Sequence, residues 1–210
     1  NSGDFIADEI VYTTGSSPKS FKILQKFGHQ IVELVPSLFT FNIKNDVLKD
    51  LMGTSFLNAE VSIPQLKMDE SGPMLITHWG LSGPAILKIS AWKARELAAL
   101  KYQFLILVNF LGIDLEDASE IFHEFRQDNP KKTIGASKVF DITSRFWHRI
   151  LFMAKVDLNK NISSLSTKEI QNILQNLCKN EMKVTGKSTY KDEFVTAGGI
   201  ELKEINFKNM

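Results

Sequence analysis

The residues most suited to chemistry lie in the glycine-rich stretch 77–84, which reads THWGLSGP. Its GLSG core is one residue short of the G-x-S-x-G nucleophile elbow of hydrolases, and His78 lies four residues before Ser82. Hydrolysis would require the His78 imidazole within hydrogen-bond reach of the Ser82 hydroxyl, with a carboxylate behind it. Alternatively, backbone N–H groups at the start of the following helix could face an anion or a polarised carbonyl. The bland interpretation is a glycine-rich loop that caps this helix, and we favour a loop with close backbone approach over a catalytic serine.

The remaining candidate motifs are incomplete. The GKS at 186–188 has Glu181 where a phosphate-binding P-loop needs its first glycine, so we predict a β-turn there instead. His123 is followed by Gln127 where a zinc-binding helix has its second histidine, and we predict no metal site. The single cysteine, Cys178, excludes an intrachain disulfide and is expected to be a small buried side chain.

Composition and charge are those of a folded, soluble chain. The 210 residues are 43% hydrophobic and 23% charged, and 25 basic against 24 acidic residues leave a formal net charge of +1. Such a balance supplies no broad electrostatic attraction to nucleic acid or to an anionic membrane. The most apolar run, 102–113, is shorter than a membrane span of about 20 residues, and the N-terminus carries no secretory signal. We therefore expect a cytoplasmic protein with neither a nucleic-acid nor a membrane partner. The start at Asn1 rather than Met indicates a processed or cut chain.

The elements that must position the glycine-rich stretch follow from the periodicity of apolar residues. The first part of the chain predicts a strand over 5–12, a turn at 13–17, a helix from Pro18 to about Gly28, and a strand over 29–35. Alternating apolar residues then predict antiparallel strands at 39–43, 57–63 and 74–77. The last of these leads directly into the glycine-rich stretch.

A helix over 85–100 follows this stretch, and then a strand over 102–110 that is apolar on both faces and therefore expected to be central. Residues 114–180 predict amphipathic helices, the last of them begun by a capping box of Ser166 and Glu169. Strand character returns afterwards, at 182–185, 194–196 and 200–205, with Gly198-Gly199 as the turn.

Strands on both sides of a helical segment should share one sheet or barrel. We therefore predict the α+β class, with a β-barrel-like antiparallel domain at 37–112 and 181–210 and an inserted helical subdomain at 113–180.

Three stretches in matching order resemble one family, the BaiN/YhiN-like bacterial flavoproteins, also labelled NAD(P)/FAD-dependent oxidoreductases or aminoacetone-oxidase-like enzymes. Residues 8–15, DEIVYTTG, resemble an ATG-type flavin motif, with Thr13 in place of the usual alanine. Residues 77–87, THWGLSGPAIL, resemble the family's T-H-x-G-x-S-G-P-A-x-L stretch. Residues 195–200, VTAGGI, match its V-T-A-G-G-V stretch, and the K-E-I-N continuation follows.

This resemblance implies a three-part parent protein, in which a Rossmann-like FAD domain is split by a barrel that itself carries a helical insertion. Residues 1–36 would be a remnant of the first FAD segment, and the end at Met210 would be a second cut. The sequence has no G-x-G-x-x-G fingerprint, so the FAD pyrophosphate has no helix N-terminus to bind here. FAD is therefore expected in the parent, with NAD(P)H as the candidate reductant, and no bound cofactor is expected on this chain alone.

The resemblance also implies roles for individual residues. Thr14 and Gly15 would contact FAD, and His78 would be the catalytic candidate, bonded to substrate or flavin. The loops on the substrate and flavin side would consist of Thr77, Gly80, Ser82, Gly83, Thr196, Gly198 and Gly199. Glycines allow backbone to approach a planar ring closely, although glycine turns that only link barrel elements would have the same composition.

Two functions from different classes follow. The first is the substrate-side middle domain of a FAD-dependent oxidoreductase, inactive alone, with the remaining FAD domain and a small-molecule substrate as partners. The second is a non-catalytic protein-binding or docking module that uses the helical insert. A large contiguous apolar patch on residues 114–180 would support the docking module.

Overall fold

A computed structural model describes residue 3 and residues 6–44, 48–188 and 195–208. These residues contain eight strands and six helices, together with short 3₁₀ turns at Pro64–Leu66, Ile162–Ser164 and Leu202–Glu204. The strands are β1 (Ile31–Ser37), β2 (Thr40–Ile43), β3 (Ser55–Ile63), β4 (Met68–Ile76), β5 (Gly80–Ser82), β6 (Phe104–Asn109), β7 (Asn180–Ser188) and β8 (Val195–Ile200). The helices are α1 (Pro18–Lys26), α2 (Pro84–Trp92), α3 (Ala94–Ala99), α4 (Leu115–Asp128), α5 (Ser144–Met153) and α6 (Thr167–Cys178).

Six of the strands form a closed antiparallel barrel in the order β2-β5-β4-β3-β6-β7. The strands that flank the helical segment pair directly, from Phe104 opposite Val184 to Val108 opposite Asn180. Helices α4 to α6 are therefore inserted between two neighbouring barrel strands. These observations confirm the α+β class, and they confirm a barrel that is interrupted by helices.

Alternation along each strand places one set of side chains inside the barrel, since successive side chains point to opposite faces. In β2, Phe41 and Ile43 are buried, and in β3, Val61 and Ile63 are buried. The strand expected to be central at 102–110 is β6, which pairs on both sides, with β3 and with β7. Its outer face is nevertheless open to solvent, because a barrel strand has only one face toward the interior, and Leu105 is 46% exposed.

The two remaining strands, β1 and β8, pair with each other in a separate antiparallel ribbon, from Ile31 opposite Ile200 to Ser37 opposite Val195. Gly198 and Gly199, predicted as a turn, lie inside β8 with φ of 120° and 133°. A Cβ built on Gly198 would lie 2.4 Å from the Glu33 carbonyl oxygen. The glycine is needed for close approach of the two strands. Residues 195–200 thus pair outside the barrel, although the expected domain limits grouped 181–210 with it.

Several local predictions differ from the structure. No strand covers 6–12, the described part of the segment predicted at 5–12, and Ile6, Ile10 and Val11 are exposed. The prediction rested on an apolar, β-branched run, and such a run forms a strand only where a neighbouring edge offers backbone hydrogen bonds. The GKS at 186–188 belongs to β7 rather than to a β-turn, and the helix predicted over 85–100 is divided at Lys93. Residue 194, the first of the strand predicted at 194–196, lies outside the described residues.

The starts of the inserted helices are defined by side-chain caps. The Asp114 carboxylate accepts hydrogen bonds from the backbone N–H groups of Glu116 and Asp117 at the start of α4. The predicted capping box at α6 is confirmed, with Ser166 and Glu169 each bonded to the other's backbone.

Cys178, at the end of α6, is buried as expected, and burial raises the pKa of its thiol to about 11. Within the described residues, every helix is too short or too polar to cross a membrane.

Candidate functional site

The glycine-rich stretch forms a tight hairpin between β4 and β5, with His78 and Trp79 at its tip. The Thr77 N–H donates to the Gly80 carbonyl at 2.8 Å, which closes the hairpin. The Thr77 hydroxyl oxygen accepts from the N–H groups of Trp79 and Gly80, each at 3.3 Å. The Ile43 N–H donates to the Trp79 carbonyl at 2.8 Å and ties the tip to β2. Both tip side chains are exposed on a backbone that is hydrogen-bonded on two sides.

The glycines of this hairpin are required by barrel packing. Gly80 has φ of 149°, and a Cβ there would lie 2.2 Å from the Phe41 carbonyl oxygen. Gly83 has φ of 97°, and its Cβ would lie 2.8 Å from the Pro73 carbonyl oxygen. The space beside each glycine is therefore occupied by the chain's own backbone, which is the arrangement expected for glycine turns that link barrel elements.

Ser82 is bonded within the barrel wall rather than to His78. Its hydroxyl accepts a hydrogen bond from the Thr40 hydroxyl at 3.0 Å, and its backbone pairs with Leu75. No hydrogen bond joins the side chains of His78 and Ser82, both of which the structure describes. The arrangement lacks the serine–histidine pair on which hydrolase chemistry depends.

Two grooves flank the hairpin tip. The larger has a volume of about 930 Å³ and lies between the tip, the end of β2 and the 48–49 turn. Its lining includes Lys44, Lys49 and Thr185, in addition to His78 and Trp79. The smaller, of about 220 Å³, lies on the other side against Met52 and Gly53. Trp79 lines both grooves and is 59% exposed. The tip is a ridge between two concave surfaces.

Basic side chains from α5 hold the turn that borders both grooves. Arg145 donates to the Met52 carbonyl at 3.3 Å, and Arg149 donates to the Lys49 carbonyl at 3.0 Å. Arg149 also lies 4.0 Å from the Asp50 carboxylate. The two lysines that line the larger groove therefore lie beside a turn that is held by arginines of a helix beginning about 100 residues later in the chain.

Lys187 does not join this basic group. Its ammonium lies 5.1 Å from the centre of the Tyr102 ring, a cation–π geometry. Burial lowers the pKa of Lys187 and raises the pKa of the Tyr102 hydroxyl. Lys187 thus contributes to packing on the barrel surface.

The predicted flavin-side residues form a second group near the ribbon. Thr196, Gly198 and Gly199 lie in β8, and Thr14 and Gly15 lie just before α1. The ribbon joins the barrel at Thr40, the first residue of β2, whereas the hairpin tip is bonded to Ile43, its last residue. The His78 tip and the ribbon therefore adjoin opposite ends of β2, and Gly199 pairs with Val32, near the end of β1 that is farther from the barrel. Ser82 and Gly83 lie between these two groups, beside Thr40 and at the start of α2.

Sequence reasoning missed the aromatic and basic part of the site. Trp79 lies within the glycine-rich motif but was given no role, and Lys44, Lys49, Arg145 and Arg149 were not singled out. For Trp79 a usable signal existed, since a large aromatic residue next to glycine in a tight hairpin cannot easily be buried. The basic residues carry no such signal, because they meet only through tertiary packing.

The chain belongs to the family described as HI0933-like protein barrel and H2TH domain, whose model matches residues 35–195. This family lies within the group of FAD-dependent oxidoreductases, which agrees with the flavoprotein resemblance at that coarser level. The chain is also 25% identical over 203 residues to a "Ribosomal RNA dihydrouridine synthase" of Escherichia coli (strain K12), a match that covers 93% of the chain and 47% of that protein. A protein of the same name from Haemophilus influenzae is 25% identical over 198 residues, covering 93% of the chain and 46% of its relative. The chain thus spans about half the length of the curated relatives it matches.

Proposed function

We propose that this chain is the barrel and helical part of a FAD-dependent oxidoreductase that reduces uridine to dihydrouridine in ribosomal RNA. The observation that carries the proposal is the match over 93% of the chain to two proteins of that name. Membership of a family in the FAD-dependent oxidoreductase group supports it. Reduction of a carbon–carbon double bond in uracil needs a hydride donor, which fits a flavoprotein.

An RNA substrate changes one expectation drawn from the composition. A net charge of +1 over 210 residues led us to expect no nucleic-acid partner. Net charge averages over the surface, however, and a local basic group can bind phosphate on a nearly neutral protein. The lysines and arginines around the hairpin tip form such a group.

The described residues supply only part of a FAD site. Gly15 has φ of 61° and open space beside it, and Thr14 before it is exposed, so this turn can accept a group from outside the chain. Thr14 and Gly15 are the residues that would hold the cofactor. Bound FAD would supply the two-electron transfer, while the absence of a G-x-G-x-x-G in the sequence leaves its pyrophosphate to the rest of the parent.

The chain's own residues would bind and orient the nucleotide. The His78 imidazole at the hairpin tip can donate or accept a hydrogen bond at the edge of a base. The groove beside it, of about 930 Å³, is within the range of ligand pockets. Backbone hydrogen bonds fix the tip, so little order would have to be gained on binding.

The docking-module alternative has weaker support. Three large apolar side chains within residues 114–180 are exposed, namely Ile121, Phe152 and Leu158. They lie on α4, on α5 and in the connection after α5, respectively. Single exposed apolar residues are normal on monomeric proteins, whereas a docking surface would concentrate them.

The longer protein tests the proposal. We expect the purified parent to be yellow from bound flavin, and we expect its deletion from the source organism to remove one dihydrouridine from ribosomal RNA, measured by nucleoside mass spectrometry. The 210-residue chain alone should neither bind flavin stoichiometrically nor restore the nucleoside. A colourless parent, or ribosomal RNA whose dihydrouridine content survives the deletion, would overturn the proposed function.

His78 has its own test in the parent. His78→Ala should slow flavin reoxidation by RNA, and His123→Ala, which removes an exposed histidine of α4, should not. Equal reoxidation rates in the two variants would remove His78 from the site.

A further inference from the structure

We propose that Trp79 is a stacking platform for one base of a single-stranded RNA, and that Lys44, Lys49, Arg145 and Arg149 bind the phosphates beside it. The inference rests on the proposed function, because it assigns the surface through which that function reaches RNA. It also goes further, since it predicts an affinity of this chain for single strands that needs neither flavin nor the rest of the parent.

The exposure of Trp79 is the first observation. Tryptophan is among the most buried residues on average, yet 59% of Trp79 is exposed on a hairpin tip. Its N–H and carbonyl are both bonded, to Thr77 and Ile43 respectively, so the backbone that carries the indole is fixed. Trp147, in contrast, is buried and donates its indole N–H to the Ile134 carbonyl. Trp79 is thus held out toward solvent by a structured loop.

The shape around the indole is the second observation. Grooves of about 930 Å³ and about 220 Å³ meet at Trp79, and the smaller contains the half-exposed Met52. A single strand that crosses this ridge can stack one base on the Trp79 indole. The nucleotides before and after that base can then lie in the two grooves. Base–aromatic stacking of this kind does not depend on sequence, since every base has a π-face.

The charge around the indole is the third observation. Lys44 and Lys49 line the larger groove, and Arg145 and Arg149 anchor the turn that borders the smaller one. Asp50 is the acidic residue that the structure places on this turn, and Asp46 lies outside the described residues. Arg145 uses one N–H on the Met52 carbonyl, and a guanidinium has five donors.

Aromatic and basic groups in this combination are typical of single-strand binding rather than of a protein partner. Single-stranded nucleic acid is bound by a positively charged groove that follows the backbone and by aromatic rings that stack on bases. A protein-binding hot spot would instead be a desolvated, closely packed apolar centre. Six of the ten residues given for the lining of the larger groove are polar, among them two lysines and one histidine. An enzyme that alters a base also requires that base to leave its stack.

The binding test uses this chain and a fluorescein-labelled 12-mer of oligouridine, with fluorescence anisotropy at fixed salt. We expect Trp79→Ala to weaken binding by about tenfold. Trp79→Phe should recover most of the affinity, because it keeps an aromatic face. Trp92→Ala is the matched control, since Trp92 is 74% exposed at the end of α2 and lines neither groove, and its affinity should equal that of the unaltered chain.

The phosphate-binding residues have a separate signature. The logarithm of affinity falls with the logarithm of salt concentration, and the double variant Lys44→Gln, Lys49→Gln should make this negative slope shallower by about 1.4. That is about 0.7 for each phosphate of a single strand that the variant no longer neutralises. Circular dichroism and thermal midpoints would show that each variant is folded. The inference would be overturned if the unaltered chain showed no measurable binding, or if it bound a 12-base-pair RNA duplex more tightly than the single strand. It would also be overturned if Trp79→Ala and Trp92→Ala had equal affinities, whether both kept or both lost binding.

The two proposals fail in different ways. If the parent makes dihydrouridine at normal rates and KM with Trp79→Ala, the stacking role is wrong and the proposed function stands. If the chain binds single strands through Trp79 while the parent leaves uridine unreduced, the binding surface stands and the reaction is wrong.

Discussion

At the scale of single residues, Gly80 shows how barrel geometry determines a motif. Gly80 and Gly72 have nearly the same unusual backbone, with φ of 149° and 146°. Gly80 faces the backbone of β2, whereas the space beside Gly72 is open. The two positions therefore separate the strain of a positive φ from the strain of a steric clash.

Gly80→Ala should lower the free energy of unfolding by more than about 4 kcal/mol, because its Cβ would lie 2.2 Å from the Phe41 carbonyl oxygen and 2.6 Å from the Ile43 nitrogen. Gly72→Ala should cost only the backbone strain of about 1–3 kcal/mol. Urea unfolding followed by circular dichroism measures both values. Similar losses in the two variants would show that β2 can move away from the hairpin.

At the scale of elements, the start of α6 combines a helix cap with an ion pair. Both carboxylate oxygens of Glu169 lie 2.8 Å from the Lys160 ammonium, and one of them also accepts from Ser166. These bonds, with that from Lys160 the largest contribution, lower the pKa of Glu169 from 4.5 to about 2. Between pH 4.5 and about 2, the Glu169 carboxyl binds more protons in the unfolded chain than in the folded chain. The free energy of unfolding therefore falls as the pH falls through this range.

Lys160→Gln should raise the pKa of Glu169 toward 4.5, because the largest of these interactions is removed. The measurement is an NMR titration of the Glu169 carboxyl carbon between pH 2 and 6. Lys168→Gln, a loss of the same charge from the first turn of the same helix, is the control. A titration midpoint near 4.5 in the unaltered chain would show that the ion pair does not form in solution.

Aromatic packing joins the inserted helices to the barrel. The ring of Phe146 in α5 lies 4.8 Å from that of Phe56 in β3 and 4.7 Å from that of Phe110, measured between ring centres. All three side chains are buried, and the apolar core is continuous from the barrel into the helices. The insert is therefore a part of the core and not an appended lobe.

Phe146→Ala should lower the free energy of unfolding by about 3–5 kcal/mol through reduced burial and the cavity that remains. Phe152 lies on the same helix and is 73% exposed, so Phe152→Ala should change it by less than about 0.5 kcal/mol. Guanidinium unfolding, followed by the fluorescence of buried Trp147, measures both. If Phe146→Ala lowered the free energy of unfolding no more than Phe152→Ala does, the inserted helices would have to fold independently of the barrel.

At the scale of the whole molecule, charge is distributed unevenly on a chain that is nearly neutral. Net charge alone predicted no RNA partner, because composition contains no positions. The fold brings Lys44, Lys49, Arg145 and Arg149 to one end of the barrel. The salt slope and the Trp79 variants described above test whether this local charge binds phosphate.

Much of the fold was predictable from the sequence, and less of the site was. Alternation located β2 and β3, and the capping box located the start of α6, because these signals are carried by neighbouring residues. The strand predicted at 5–12 was wrong in its described part, since a strand also needs an edge that local sequence does not specify. His78 was singled out from the sequence, and the structure places it exposed at the hairpin tip, whereas Trp79 was given no role.

The sequence by itself determined the α+β class, the helical interruption of the strands and the flavoprotein resemblance, because periodicity, caps and motifs are local properties. Only the tertiary structure decided that β6 and β7 close the barrel across the insert and that β1 and β8 leave it as a ribbon. It also decided that Gly80 faces backbone and that α5 brings its arginines to the hairpin tip. Contacts between distant segments depend on which faces are buried together, and that is settled by packing of the whole chain.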